Sequence, residues 1–255
     1  MPAKKKKKET AVVKHESNLP ATTDIPLGFE DMEQEDFSLP YVKIMQPLSP
    51  EVDNDDIKAE TGDLLNSLSG HNYGTDLIFI PVMFSRRRIK WLPRDDGGGM
   101  ECGSIDGKIP DTGAKFAEVC SECKYSQWDN KTSTPPLCDM FRVFPSIILG
   151  LKPEFDGSKL VAISFARTNA VAGKKLLNTA RMSGGAIFSH SYKLNTKKQT
   201  NDKGVFWTFE VAPAPKLSPA QIAEAEGHFN VLSSMRVNVD LTPEAVTQNS
   251  DDPPF

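Results

Sequence analysis

The sequence predicts a mainly β fold of the α+β kind, and three observations lead to it. About five runs rich in β-branched and aromatic residues lie between positions 76 and 211, with a helical pattern between the third and the fourth. All four cysteines interrupt these runs within one short window, from Cys102 to Cys138. Neither end of the chain has a core pattern. Five strands with a helix in that place suit an OB-like five-stranded barrel with a cysteine-rich insertion and disordered termini. A plain β-sandwich accommodates the same runs nearly as well.

Residues 1–35 read as a disordered arm: Lys4 to Lys8 are followed by polar residues, scattered proline and an acidic stretch. The lysine run is a solvated tail, a loose backbone-binding arm or a nuclear localisation signal. Residues 37–45 alternate well enough for a short strand, 51–56 form an acidic loop, and order resumes at Thr61-Gly62-Asp63-Leu64. Residues 76–91 read as one long strand, apolar in its first half (Leu77, Phe79, Pro81, Met83) and basic and aromatic in its second. Gly97-Gly98-Gly99 is a flexible joint, lacking the strand–turn–helix setting of a phosphate loop. Residues 140–149 and 159–167 are two further strands. Residues 169–182 place Val171, Leu176, Leu177 and Ala180 at helical spacing and stop at Ser183-Gly184-Gly185. Strands at 186–194 and 205–211 are joined by a polar loop, 195–204, and together resemble a hairpin with a mobile tip. Ser218 and Pro219 start a helix running to 233. The expected organisation is an arm at 1–35, a nucleic-acid-binding body at 36–216 with its insertion at about 97–139, a helix in 217–238 and an acidic tail at 239–255.

The net charge of −4 conceals a division along the chain. Residues 1–75 hold 8 Lys/Arg against 14 Asp/Glu, residues 76–216 hold 21 against 14, and residues 217–255 hold 1 against 6. A basic middle between acidic flanks points to a body that binds a polyanion. No apolar run approaches the roughly 20 residues that span a bilayer, and no apolar segment follows the lysines as in a secretory signal. The expected location is cytoplasmic.

Cys120 and Cys123 form a Cys-x2-Cys knuckle, with Cys102 and Cys138 on either side. Two thiolates on a tight turn can grip one tetrahedral ion, and a second pair closes the site. The surrounding Gly-, Lys-, Asp- and Pro-rich sequence has little core, so a structural Zn2+ gives this segment a reason to fold. Two disulfides or a redox Cys-x2-Cys are the competing readings. A closed four-thiolate site leaves no position for a reactive water, so the expected zinc is scaffolding.

Single-stranded nucleic acid is held by cations along its phosphates and by aromatic faces under its bases. Arg86, Arg87, Arg88, Lys90 and Trp91 supply both within six residues. On a strand, Arg86, Arg88 and Lys90 share one face while Arg87, Ile89 and Trp91 share the other. Lys124, Tyr125 and Trp128 repeat the combination beside the knuckle. Phe141, Arg142 and Phe144, then Lys193, Lys197 and Lys198, then Phe206, Trp207 and Phe209 continue it, with Phe79, Phe165 and Phe209 assigned to the core. The DNA-contact candidates are Arg86, Arg87, Arg88, Lys90, Trp91, Lys124, Tyr125, Trp128, Lys193, Lys197 and Lys198. No Ser/His/Asp, His-Glu-x-x-His or paired-carboxylate pattern supports an enzyme. A zinc-ribbon nucleic-acid enzyme or transcription factor is the alternative, and a protein-binding adaptor a third reading.

The chain ends in Asp251-Asp252-Pro253-Pro254-Phe255. A final Phe suits an apolar pocket, its carboxylate suits an Arg or Lys, and the aspartates suit a basic rim. This end resembles the acidic tip of bacterial single-stranded DNA-binding proteins, with Pro253 where that family has an aliphatic residue. The resemblance implies docking of replication and repair proteins through these five residues. The body is similar in architecture to single-stranded DNA-binding proteins of tailed phages, some of which insert a zinc subdomain into an OB barrel. That likeness implies a phage protein in the host cytoplasm, active in DNA replication, recombination or repair.

Overall fold

The long run at 76–91 is the spine of the fold. It forms two strands in line, β4 (Asp76–Pro81) and β5 (Ser85–Trp91), in a computed structural model that describes residues 36–239 apart from 37, 55, 56, 112, 203 and 235–237. The described residues all belong to one compact unit, Gln34–Phe255; the unit Met1–Glu33, with its lysine run, lies outside them. Ahead of β4 come β1 (Ser38–Leu39), β2 (Val42–Ile44) and β3 (Leu64–Asn66). After β5 come β6 (Met100–Ser104), β7 (Cys138–Leu149) and β8 (Leu160–Phe165), then helix α1 (Ala170–Ser183). The hairpin β9 (Tyr192–Asn201) and β10 (Gly204–Pro213), helix α2 (Pro219–Ser234) and β11 (Asn238–Val239) complete the order. Pro40 separates β1 from β2 where the sequence suggests one strand.

Seven strands form one antiparallel sheet in the order β10-β9-β4-β7-β5-β6, with β8 on the free edge of β7. Pro81 stands opposite Ser146, but Ser85 stands opposite Val143, so the spine carries one extra residue between them. This bulge reverses the alternation. Odd residues of β4 (Leu77, Phe79) face the core, whereas in β5 the even residues Arg86, Arg88 and Lys90 take that face.

β7 sorts its side chains by period two. Phe144 and Ile148 pack inward with Phe79, Ile163, Phe165, Tyr192, Leu194, Phe209 and Leu176 of α1. Ile147 packs outward with Ile80 and Val82 beneath Ala225 and Leu232 of α2. Val143 and Ala162 pack outward with Leu39 of β1 and Val239 of β11, which pair in parallel. Each fully buried Phe, Ile or Leu contributes about 1.5–3 kcal/mol of transfer free energy.

The protein is mainly β, with a large antiparallel sheet and two α-helices and no closed barrel among the described residues. β8 and β10 are not paired, and β2, which pairs β3, stands between them. The Ala162 N–H donates to Pro40 O at 2.7 Å on one side. On the other, the Gln46 side chain donates to Trp207 O at 2.9 Å and accepts from the Trp207 N–H at 2.9 Å.

Two expectations are corrected. The stretch 186–194 is not all strand: Ile187–Ser189 is a 3-10 turn whose Phe188 stacks on Phe229 of α2, and β9 begins at Tyr192. The polar stretch 195–204 is not a loop but the outer half of the β9–β10 hairpin, with Lys198 opposite Trp207 and Asn201 opposite Gly204. Its pairing is local and continuous, which outweighs low β-propensity.

Ser218 starts α2 as the sequence suggests. Its Oγ accepts from the Gln221 N–H at 3.3 Å while Gln221 Oε1 accepts from the Ser218 N–H at 2.9 Å, a reciprocal cap. Ser218→Ala is expected to cost about 1 kcal/mol, read as a lower urea midpoint at unchanged slope. No helix among the described residues is long and apolar enough to cross a membrane.

Candidate nucleic-acid interface and cysteine centre

The insertion between β5 and β7 brings its cysteines together. Cys102 lies on β6, Cys138 opens β7, and both stand opposite Lys90 of β5 in register. The bulge between Lys90 and Trp91 lets the β6 edge shift there. Cys120 and Cys123 approach from the loop, where the Ser126 N–H donates to Cys123 O at 2.9 Å. Ser126 Oγ bonds the carbonyls of both knuckle cysteines, at 2.6 and 2.8 Å. All four thiols line one cavity of about 20 Å3, together with Lys90, Pro110, Phe116, Ala117 and Ser126. That is room for one atom-sized guest.

The thiols are free, and no group of three or more His, Cys, Asp or Glu among the described residues already stands in ion-holding proximity. Four thiols converging on one small cavity are the donor set a soft divalent ion takes, so the residues fit zinc in kind and number. Burial raises the Cys138 thiol to about 11, opposed by the Arg88 charge, and raises Cys120 as well.

Two of the candidate cations sit against this cavity. Arg88 is half-buried, stands opposite Ser104 of β6 and Met140 of β7, and its charge opposes the upward shift of the Cys138 thiol. Lys90 is only 9% exposed. Its ammonium is ion-paired to Glu101 and lies 4.7 Å from the Tyr125 ring centroid and 5.4 Å from that of Phe116. Phe116 and Tyr125 meet edge to face at 4.9 Å. Lys115 shares Glu101 at 3.0 Å, and hydrogen bonds from Lys90 and then Lys115 hold that carboxyl below its ordinary range.

Arg87 points to the opposite face. It is 6% exposed, and its Nη1 donates to Val239 O at 3.0 Å, which holds β11 against the sheet. Burial lowers its pKa, offset in part by Asp111, although a guanidinium stays charged at any relevant pH. Trp91 shares that face and is half-buried. Arg86 is exposed, 5.8 Å from the Phe84 ring and opposite the buried Arg142. Burial, and then the Arg86 charge, lowers the Arg142 pKa.

The remaining candidates lie on two connections. Lys124 is exposed over Tyr125 at 4.9 Å, and Trp128 is 55% exposed. Lys193 is ion-paired to Asp76 at 3.0 Å. Lys197 and Lys198 are exposed on the outer half of the β9–β10 hairpin, with Lys198 5.5 Å from the Trp207 ring. Trp207 was not among the DNA-contact candidates. Its signal lies in the expected strand 205–211, where Phe206, Trp207 and Phe209 continue the cation–aromatic pattern. Asp251 to Phe255 lie outside the described residues.

A family model described as Pam3 phage gp34-like protein matches residues 7–238. The chain belongs to this family. The match takes in the spine, the cysteine insertion and both helices of the gp34-like chain, ends at the first residue of β11, and stops short of the acidic tip. No curated protein and no solved structure matches it.

Proposed function

We propose that this phage-family protein binds single-stranded DNA, largely without sequence preference, and catalyses no reaction. In that role it coats and protects the strand during replication, recombination or repair. The observation that carries the reading is the pairing of exposed cations with aromatic rings on two separate connections: Lys124, Tyr125 and Trp128 on the β5–β7 insertion, and Lys197, Lys198 and Trp207 on the β9–β10 hairpin. Lysines that follow phosphates beside rings that stack bases are what single strands require.

The connectivity supports an OB-like reading. The bulged spine pairs with β7 and β9, β8 follows β7, α1 comes next, and the β9–β10 hairpin closes the order. In an OB fold the first-to-second and fourth-to-fifth connections flank the oligonucleotide, and here these are the two connections that carry the exposed pairs. The five-stranded barrel would be completed by β2 and β3 at the seam between β8 and β10. Cys102, Cys120, Cys123 and Cys138 would hold a structural zinc, which supplies a fold for the insertion. The tip at Asp251 to Phe255 would dock replication and repair proteins.

Lys197→Ala with Lys198→Ala tests the interface. Each lost phosphate contact is expected to flatten the slope of log K against log salt by about 0.7 on single strands. An unchanged slope in the double variant removes the hairpin from the interface.

A further inference from the structure

Of the cations around the cysteine cavity, Lys90 is buried and Arg88 half-buried. Lys90 lines the cavity, stands opposite both Cys102 and Cys138, and is roofed by Phe116 and Tyr125. Arg88, two residues earlier on the same face, stands between Ser104 of β6 and Met140 of β7, each two residues from a cysteine of the cavity. A divalent ion with four thiolates carries a net double negative charge, which is costly to bury without compensation. The nearby carboxylates would only add to that negative charge, and each is already engaged by other donors. Glu101 is shared between Lys90 and Lys115, and Asp106 is occupied by the backbone N–H groups of Lys108 and Ile109 and by the Ser104 hydroxyl. From this juxtaposition we infer that Arg88 and Lys90 are the counter-charges and orienting groups of the metal centre, and not contacts to DNA. The inference rests on the zinc reading above.

Arg88 acts through its charge, which stabilises the Cys138 thiolate. Lys90 acts from the strand between two ligands, its position set by Glu101 and the two rings. Tyr125 then serves first as the roof over Lys90, with its outer side left for Lys124.

The test is zinc retention in the full chain. Wild type, Arg88→Met, Lys90→Met and the charge-keeping Arg88→Lys are purified with zinc, and zinc per chain and zinc affinity against a competing chelator are measured. Wild type is expected to hold one equivalent, and each Met variant to bind zinc about 10–100-fold more weakly. Arg88→Lys is expected to fall between them. Each Met variant, measured with zinc present, should keep the wild-type salt slope on oligo-dT. Wild-type zinc affinity in both Met variants, or a loss in Arg88→Lys as large as in Arg88→Met, overturns the inference while leaving the zinc reading intact. A slope flattened by about 0.7 with zinc affinity unchanged returns that residue to the DNA interface. A wild-type protein that takes up no zinc overturns both.

Discussion

Cys120→Ser, or extraction of the proposed zinc by a chelator, is expected to unfold the insertion and leave the β body standing. The reason is the distribution of apolar burial. No described residue between β5 and β7 belongs to any of the four hydrophobic clusters, and Ile109 and Leu137 are 62% and 60% exposed. Between β6 and β7 the buried apolar residue is Cys120 itself. Turns such as the Asp129–Thr134 bridge and the caps on Asp106 are local hydrogen bonds, each of about 1 kcal/mol net. A structural zinc site is worth roughly 10–16 kcal/mol in peptides that lack a core of their own. The body keeps its clusters, and β7 keeps its pairing with β4 and β8. Limited proteolysis of the variant should therefore cut first between residues 105 and 137, while the thermal transition of the remainder persists. Protease resistance equal to wild type in the insertion would contradict this.

Gly62→Ala should cost about 2–4 kcal/mol, as the sum of two penalties that do not relieve one another. Gly62 has φ +95°, a region L side chains rarely adopt. A Cβ there would stand 2.4 Å from Trp207 Nε1 and 2.7 Å from its Cδ1. The ring has little freedom to retreat, because Gln46 binds the Trp207 backbone on both its N–H and its carbonyl. The Gly62 N–H also donates to Met45 O at 2.8 Å, which fixes the turn that carries it. A lower urea midpoint with a shifted tryptophan emission is the expected result. A loss below about 0.5 kcal/mol would mean the turn is free to yield.

The fold was legible where the signal is local. The serine, proline and glutamine at 218–221 form the N-terminal cap of α2, α1 fills residues 170–183 as its apolar spacing suggests, and the cysteine spacing gathers four thiols on one cavity. What was not legible is set at a distance. Arg87 and Lys90 look like exposed strand cations until β11 and the insertion fold over them, and neither contact leaves a mark in residues 85–91. The extra residue between Pro81 and Ser85 has no glycine to announce it, although it decides which face each arginine takes. The hairpin was read but its length was hidden by composition, since the Asn, Thr, Lys and Gln of 195–201 read as a loop until they pair. Five strands were expected where the sheet has seven, because β6 lies inside the cysteine insertion and the spine is broken in two.

The most direct measurement is fluorescence anisotropy of a labelled oligo-dT titrated with the full chain at two salt concentrations, with unlabelled duplex as competitor. Single-strand binding by lysines and stacked rings predicts tight association that weakens steeply with salt and that duplex does not displace. Absence of binding at low salt, or equal displacement by duplex, would contradict it and assign the basic middle of the chain to a different partner.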